Sequence, residues 1–130
     1  MEVAAYTQQP DLVVSVGAVP AADVPGSLEG EGRVELGQGV CLALADAGFA
    51  YHRPTVEAWS RRAQEAGIPH RVLPYAAAAA SAGYAALCRT GAAALSLLIP
   101  CRTPYAPAGV MRTRDWNAAE EMLALIVKNS

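Results

Sequence analysis

Short Val- and Leu-rich runs, each too brief for a helix, recur along this chain and alternate with segments of helical period. Asp11 to Val19 reads DLVVSVGAV, Val40 to Ala45 reads VCLALA, and Ala92 to Pro100 reads AAALSLLIP. Apolar runs of that length, bounded by Gly, Pro or Asp, mark strands buried on both faces. Between the second and third runs the period changes. Pro54 suits the first residue of a helix. Val56, Trp59, Ala63 and Ala66 then share one face of a helix over Thr55–Ala66, which stops at Gly67. Ile68 to Tyr75 (IPHRVLPY) holds a further short strand ended by Pro74, and Ala76 to Thr90 predicts a second helix stopped by Gly91. Asp115 is placed to cap a last helix over Trp116–Val127, whose Trp116, Ala119, Met122, Leu123, Ile126 and Val127 recur at helical spacing. Pro20 to Gly39 is Gly- and Pro-rich loop, within which Gly32 to Leu36 (GRVEL) alternates and predicts a short edge strand.

Strands alternating with helices define an α/β fold: three layers, a mainly parallel (mixed) sheet, and helices on its faces. The 130 residues suit one domain over 1–130. With 53% hydrophobic and 17% charged residues the chain is too apolar to be disordered. The net charge of −2, with nine Arg and one Lys scattered, lacks the basic patch of a nucleic-acid binder. No stretch of about 20 strongly apolar residues spans a membrane. Met1 to Pro10 has no apolar core of a secretory signal. Cys41, Cys88 and Cys101 are too few and too widely spaced for a disulfide framework or a metal knuckle, so reduced thiols in the cytoplasm are expected.

Ligands on such sheets sit beyond the C-terminal strand ends. Here those ends lead into Gly17–Gly26, Tyr75–Gly83 and Pro100–Pro107, which offer Asp23, Tyr75, Ser81, Arg102 and Tyr105. One carboxylate and no His make neither a zinc site nor a hydrolytic pair. His52 and His70 flank the first helix and suit surface or capping roles. Cys101, beside Arg102, is the better candidate for a reactive thiol than Cys88. Glu120 and Glu121 are neighbours that diverge on a helix, and Arg61–Arg62 is surface charge. The glycines of 26–39 have neither dinucleotide-loop spacing nor a P-loop Lys.

Three segments taken together resemble the C-terminal half of M42-type metallo-aminopeptidases, a family that includes glutamyl and deblocking aminopeptidases and relatives labelled endoglucanases. They are Val16–Gly26 (VGAVPAADVPG), Ala80–Gly91 (ASAGYAALCRTG) and Ile99–Pro107 (IPCRTPYAP). The corresponding family patterns are VDVTxAxDxPG, TDAxxxxxxxxG and IPxRYxHSP. Leu36–Leu42 and Ala63–Pro69 (AQEAGIP) match the turn and helix end that lie between them. The resemblance runs over about residues 11–127. It implies a zinc-peptidase-like half domain and, for an intact family member, a cocatalytic pair of Zn or Co ions activating one water.

The resemblance also implies that the two metal-ligand positions within this stretch are Gly17, where the family has Asp, and Tyr105, where it has His. Ser81 and Ala80 replace the Asp and Thr of the second pattern. Asp23, Pro25, Gly26, Gly91, Ile99, Pro100, Arg102 and Pro107 match. The family's first His, bridging Asp and Glu pair belong to an earlier part of its chain. A non-catalytic, degenerate module with no resident cofactor is therefore expected, with Gly17, Asp23, Ser81, Arg102 and Tyr105 as a vestigial pocket. Such a half domain would expose a sheet edge, so a homo-oligomer or a covering partner chain is expected. The alternatives are peptidase activity completed by a separate chain with the missing ligands, chemistry at Cys101, Arg102 or Tyr105, or an unrelated small-molecule-binding domain.

Overall fold

Val40, Cys41, Leu42 and Ala43 have no solvent exposure at all, which a strand reaches only with neighbours on both edges and both faces. In the computed structural model, which describes residues 2–27, 33–77 and 81–129, these residues form an inner strand of a four-stranded sheet. The elements are α1 (Glu2–Gln8), β1 (Leu12–Pro20), β2 (Val40–Ala43), α2 (Arg53–Glu65), β3 (His70–Leu73), α3 (Ser81–Ala86), β4 (Ala93–Cys101) and α4 (Thr113–Asn129). The strand order is β1-β4-β2-β3. β1 runs parallel to β4 in a register from Leu12↔Ala93 to Pro20↔Cys101, and β2 runs parallel to β3. β4 and β2 are antiparallel, with Cys41 opposite Leu98 and Leu42 opposite Leu97. The sheet is thus mixed, α2 and α4 cover one face, and α3 with α1 covers the other. Gly83 lets α3 press onto the sheet side: a β-carbon there would overlap the Phe49 side chain.

The sequence places most elements within a few residues. Three expectations are corrected. Residues 33–36 are loop and not an edge strand; Gly32 lies outside the described residues. Their alternation comes from Val34 alone, which is buried and accepts a hydrogen bond from Ala22 N at 2.7 Å, with no ladder beyond it. The second helix is described only over Ser81–Ala86, with residues 78–80 outside the described set. A seven-residue α1 packs on α3 through Ala5, where a short Glu2–Gln8 segment gave no periodic signal.

Asp115 is the third correction. It lies inside the first turn of α4 and does not cap it. Its carboxylate is completely buried and turns away from its own helix: Oδ2 accepts from Gly37 N at 2.7 Å and Oδ1 from Gly39 N at 2.8 Å. Both glycines have positive φ, and a β-carbon on Gly39 would run into the Pro69 carbonyl. Only glycine fits there. One buried charge therefore fixes the turn before β2 against the start of α4, where the helix dipole also favours an anion. A buried carboxylate without its donors is costly. Asp115→Asn, which replaces one acceptor oxygen with a donor, should cost about 2–3 kcal/mol in urea unfolding; an unchanged midpoint would contradict the role given to this clamp.

Burial raises the Cys41 thiol to about 12. Cys101 is also buried, whereas Cys88 is partly exposed. Iodoacetamide at pH 8 should label Cys88 alone in the native protein and all three thiols in urea, as counted by intact mass.

Candidate functional site

Because β1 and β4 are parallel and in register to their last residues, the segments leaving both strands arrive at one place. Ala21 N still bonds to Cys101 O at 2.8 Å. Two residues beyond, Asp23 meets Arg102 in a bidentate pair: Nε to Oδ1 and Nη2 to Oδ2, each 2.9 Å. The Arg102 hydrogen bonds hold the Asp23 carboxyl below its usual range, with a weaker contribution from Leu36 N at 3.4 Å, and Asp23 in turn raises the Arg102 guanidinium. Arg102 also bonds with Val110 through both its backbone N and O, at 2.9 and 3.1 Å, and so closes the loop of residues 103–109. Tyr105 projects from that loop, 77% exposed.

The other expected site residues lie apart from this pair. Gly17 is within β1, opposite Leu98, and has room for a side chain: a β-carbon would make only a 3.4 Å contact with Leu98 Cδ2. Ser81 is the exposed first residue of α3, and Tyr75 is exposed ahead of it. Of the five residues expected to form a pocket, Asp23 and Arg102 are joined by hydrogen bonds, and Gly17, Ser81 and Tyr105 stand elsewhere on the surface. Cys101 corrects the thiol expectation. It is 2% exposed, its Sγ donates to the Arg102 carbonyl at 3.3 Å, and the Arg102 guanidinium is engaged by Asp23. His52 Nδ1 lies 2.9 Å from Thr55 Oγ1 at the surface. His70 bridges α2 and β3: Nδ1 donates to the Ile68 carbonyl at 2.9 Å, leaving Nε2 to accept from Ser60 Oγ at 2.8 Å in the neutral ring.

Among the described residues no group of three or more His, Cys, Asp or Glu side chains converges as metal ligands would. The two positions at which the resemblance leads one to expect ligands offer no side-chain donor at Gly17 and an exposed phenol at Tyr105. These residues do not fit a cocatalytic metal pair. What the geometry does supply is a closed carboxylate–guanidinium pair, which orders two loops.

Sequence reasoning missed a buried polar group beside the α3 face. Tyr51 donates to Asp46 Oδ2 at 2.6 Å, and Asp46 Oδ1 accepts from Gly48 N and Phe49 N at 2.8 and 2.9 Å. Burial, with the Asp46 carboxylate next, pushes the Tyr51 hydroxyl well above its ordinary value. The run Asp46-Ala47-Gly48-Phe49 is the available signal, since an Asp that bonds two and three residues on is an Asx turn. Ser96 lies close enough to Tyr51 to favour the phenolate slightly. Neither Ser96 Oγ nor that of its register partner Ser15 makes a hydrogen bond.

Comparison with known proteins places this architecture. The structure superposes on an aminopeptidase from the archaeon Desulfurococcus kamchatkensis with a TM-score of 0.91 at 26% identity, covering 99% of this chain and 37% of that one. It matches an endoglucanase from Thermotoga maritima at 0.71 and 18% identity, covering 97% and 36%. It matches the TET1 peptidase of Pyrococcus horikoshii, which can assemble into a tetrahedron or a large octahedral shell, at 0.72 and 18%, covering 96% and 34%. The chain spans about a third of the length of each. The family model of the M42 glutamyl aminopeptidases matches residues 1–122, and the chain belongs to that family.

Proposed function

We propose that this chain is a degenerate M42 aminopeptidase-like module that does not catalyse peptide hydrolysis and works by oligomerisation or by binding a partner or ligand. The observation that carries this reading is the pairing of Gly17 and Tyr105 at the two ligand positions while Asp23 and Arg102 keep the scaffold between them. A cocatalytic mechanism needs metal to clamp a water and a base to take its proton. Among the described residues no group of three or more His, Cys, Asp or Glu converges as the donors would, and Asp23, the carboxylate beyond the ends of β1 and β4, is already engaged. Asp23 is held ionised and bidentate by Arg102, which makes it a poor proton acceptor. The three free thiols support a reducing, cytoplasmic setting.

One observation favours a second reading, peptidase activity completed by a separate chain. The match covers about a third of each related peptidase, and on this reading the remaining ligands and the base are supplied by that second chain. Family membership argues against the third expectation, a small-molecule domain of unrelated descent.

Calorimetry of the purified protein with zinc or cobalt should show no binding tighter than about 100 μM, some 5 kcal/mol, and aminoacyl p-nitroanilides should not be cleaved. Stoichiometric tight binding would overturn the non-catalytic reading and direct substitution to Asp23, His52, His70 and Tyr105. The scaffold role of Asp23 has its own signature. Its folded-state pKa is depressed below the ordinary 3.8 by the Arg102 hydrogen bonds, so its contribution is present above that value and is lost as pH falls through the folded one. Asp23→Asn should therefore melt below wild type at pH 7, and the gap should narrow as the pH is taken down below 3.8. A gap independent of pH would refute the assignment.

A further inference from the structure

We propose that Ser15 and Ser96 hold one internal water molecule between the sheet and α3, and that this water joins β1 and β4 to the Tyr51–Asp46 pair. The inference is independent of the non-catalytic reading, and it concerns groups that the described residues themselves bury. Ser15 is 4% exposed and Ser96 is fully buried. Neither hydroxyl has a hydrogen-bond partner among the described residues. A buried hydroxyl without a partner is costly, and native structures contain few of them. Two on facing residues call for one cause.

Topology brings the two together. β1 and β4 are parallel, and Ser15 stands opposite Ser96. Val16 and Ile99 lie beside Trp116 and Ala119 of α4. Successive side chains of a strand point to opposite faces. Ser15, one residue before Val16, and Ser96, three before Ile99, therefore turn to the other face, which α3 covers. The Tyr51 hydroxyl reaches the same place. It lies beside Ser96 and the Gly83 amide while donating to Asp46 Oδ2 at 2.6 Å. The buried residues of α3 are Ala82, Gly83, Ala85 and Ala86, which bring no side-chain donor or acceptor to the two serines.

Spacing and proton count select water as the ligand. Neighbouring strands are about 4.8 Å apart. That exceeds a direct hydroxyl–hydroxyl bond of about 2.8 Å, and it is close to the span of two such bonds meeting at one tetrahedral oxygen, about 4.6 Å. The Tyr51 proton is committed to Asp46, so the Tyr51 oxygen can only accept. Each serine has one proton to give and lone pairs to receive. A water that accepts from Ser15 and donates to Ser96 leaves the Ser96 proton for Tyr51, and every hydroxyl is then paired. Buried waters typically make about three hydrogen bonds of this kind. A cation does not suit these groups. The hydroxyls carry no charge to offset its desolvation, and the Asp46 carboxylate already accepts from Tyr51, Gly48 N and Phe49 N.

A crystal structure of the wild-type chain should show one peak of solvent density within about 2.6–3.2 Å of both Ser15 Oγ and Ser96 Oγ. Ser96→Ala should lower the urea midpoint and raise the unfolding constant roughly fivefold, because the water loses an anchor and Ser15 is left unpaired. Made in a Ser15→Ala background, the same change should cost clearly less, since the bridge is already gone. Four results would each overturn the proposal. They are a direct Ser15–Ser96 bond or an empty space where the peak is expected, a peak at ion–ligand distances of about 2.4 Å, a Ser96→Ala variant as stable as wild type or more so, and two substitutions whose effects simply add.

Discussion

The buried carboxylate of Asp115 is the constraint on which the order of this sheet depends. β2 lies between β4 and β3, antiparallel to one and parallel to the other. The chain must therefore enter β2 at a defined height from residues 33–39, which form no strand. Asp115 sets that height by holding Gly37 N and Gly39 N in adjacent bonds. Loop ordering is entropically expensive, and two charge-assisted bonds from a side chain in a regular helix offset part of that cost. The same contacts fix α4, and α4 in turn covers β2 and β4. Core, helix and turn are thus joined at one residue.

Most of the fold was legible in the sequence because burial is. β4 is buried from Ala94 to Cys101, and its apolar run, interrupted by Ser96, announces it. The amphipathic stripe of Val56, Trp59 and Ala63 announces α2 in the same way. What was not legible depends on long-range contacts. Nothing local says that Asp115 reaches back to Gly37, since an Asp just ahead of a helical stripe fits an N-cap equally well. Nothing local separates the alternation of Gly32–Leu36 from that of a strand, because a ladder is a property of two segments. α1 is short enough that only its contact with α3 makes it a helix.

The candidate site shows the same division. The pairing of Asp23 with Arg102 follows from the parallel register of β1 and β4, a relation the sequence expresses only as two strands of nine residues. The expected five-residue pocket was an inference from loop positions, and the structure joins only the two residues whose charges attract. The Tyr51–Asp46 pair went unnoticed because its partners are close in sequence but sit in a turn, where no periodicity marks them.

The pattern of retained and altered positions has a physical logic. Asp23 and Arg102 do structural work: their bond ties the segments leaving β1 and β4 and closes the loop that carries Tyr105. Gly17 and Tyr105 do none of that work. A side chain at position 17 would make only ordinary contact, and Tyr105 stands in solvent. Residues that serve a reaction and not the fold can change at little cost in stability, whereas a buried or bidentate charge cannot lose its partner without exposing the other to an unfavourable environment. The M42 architecture can therefore persist at these two positions without the side chains for which the family resemblance names them.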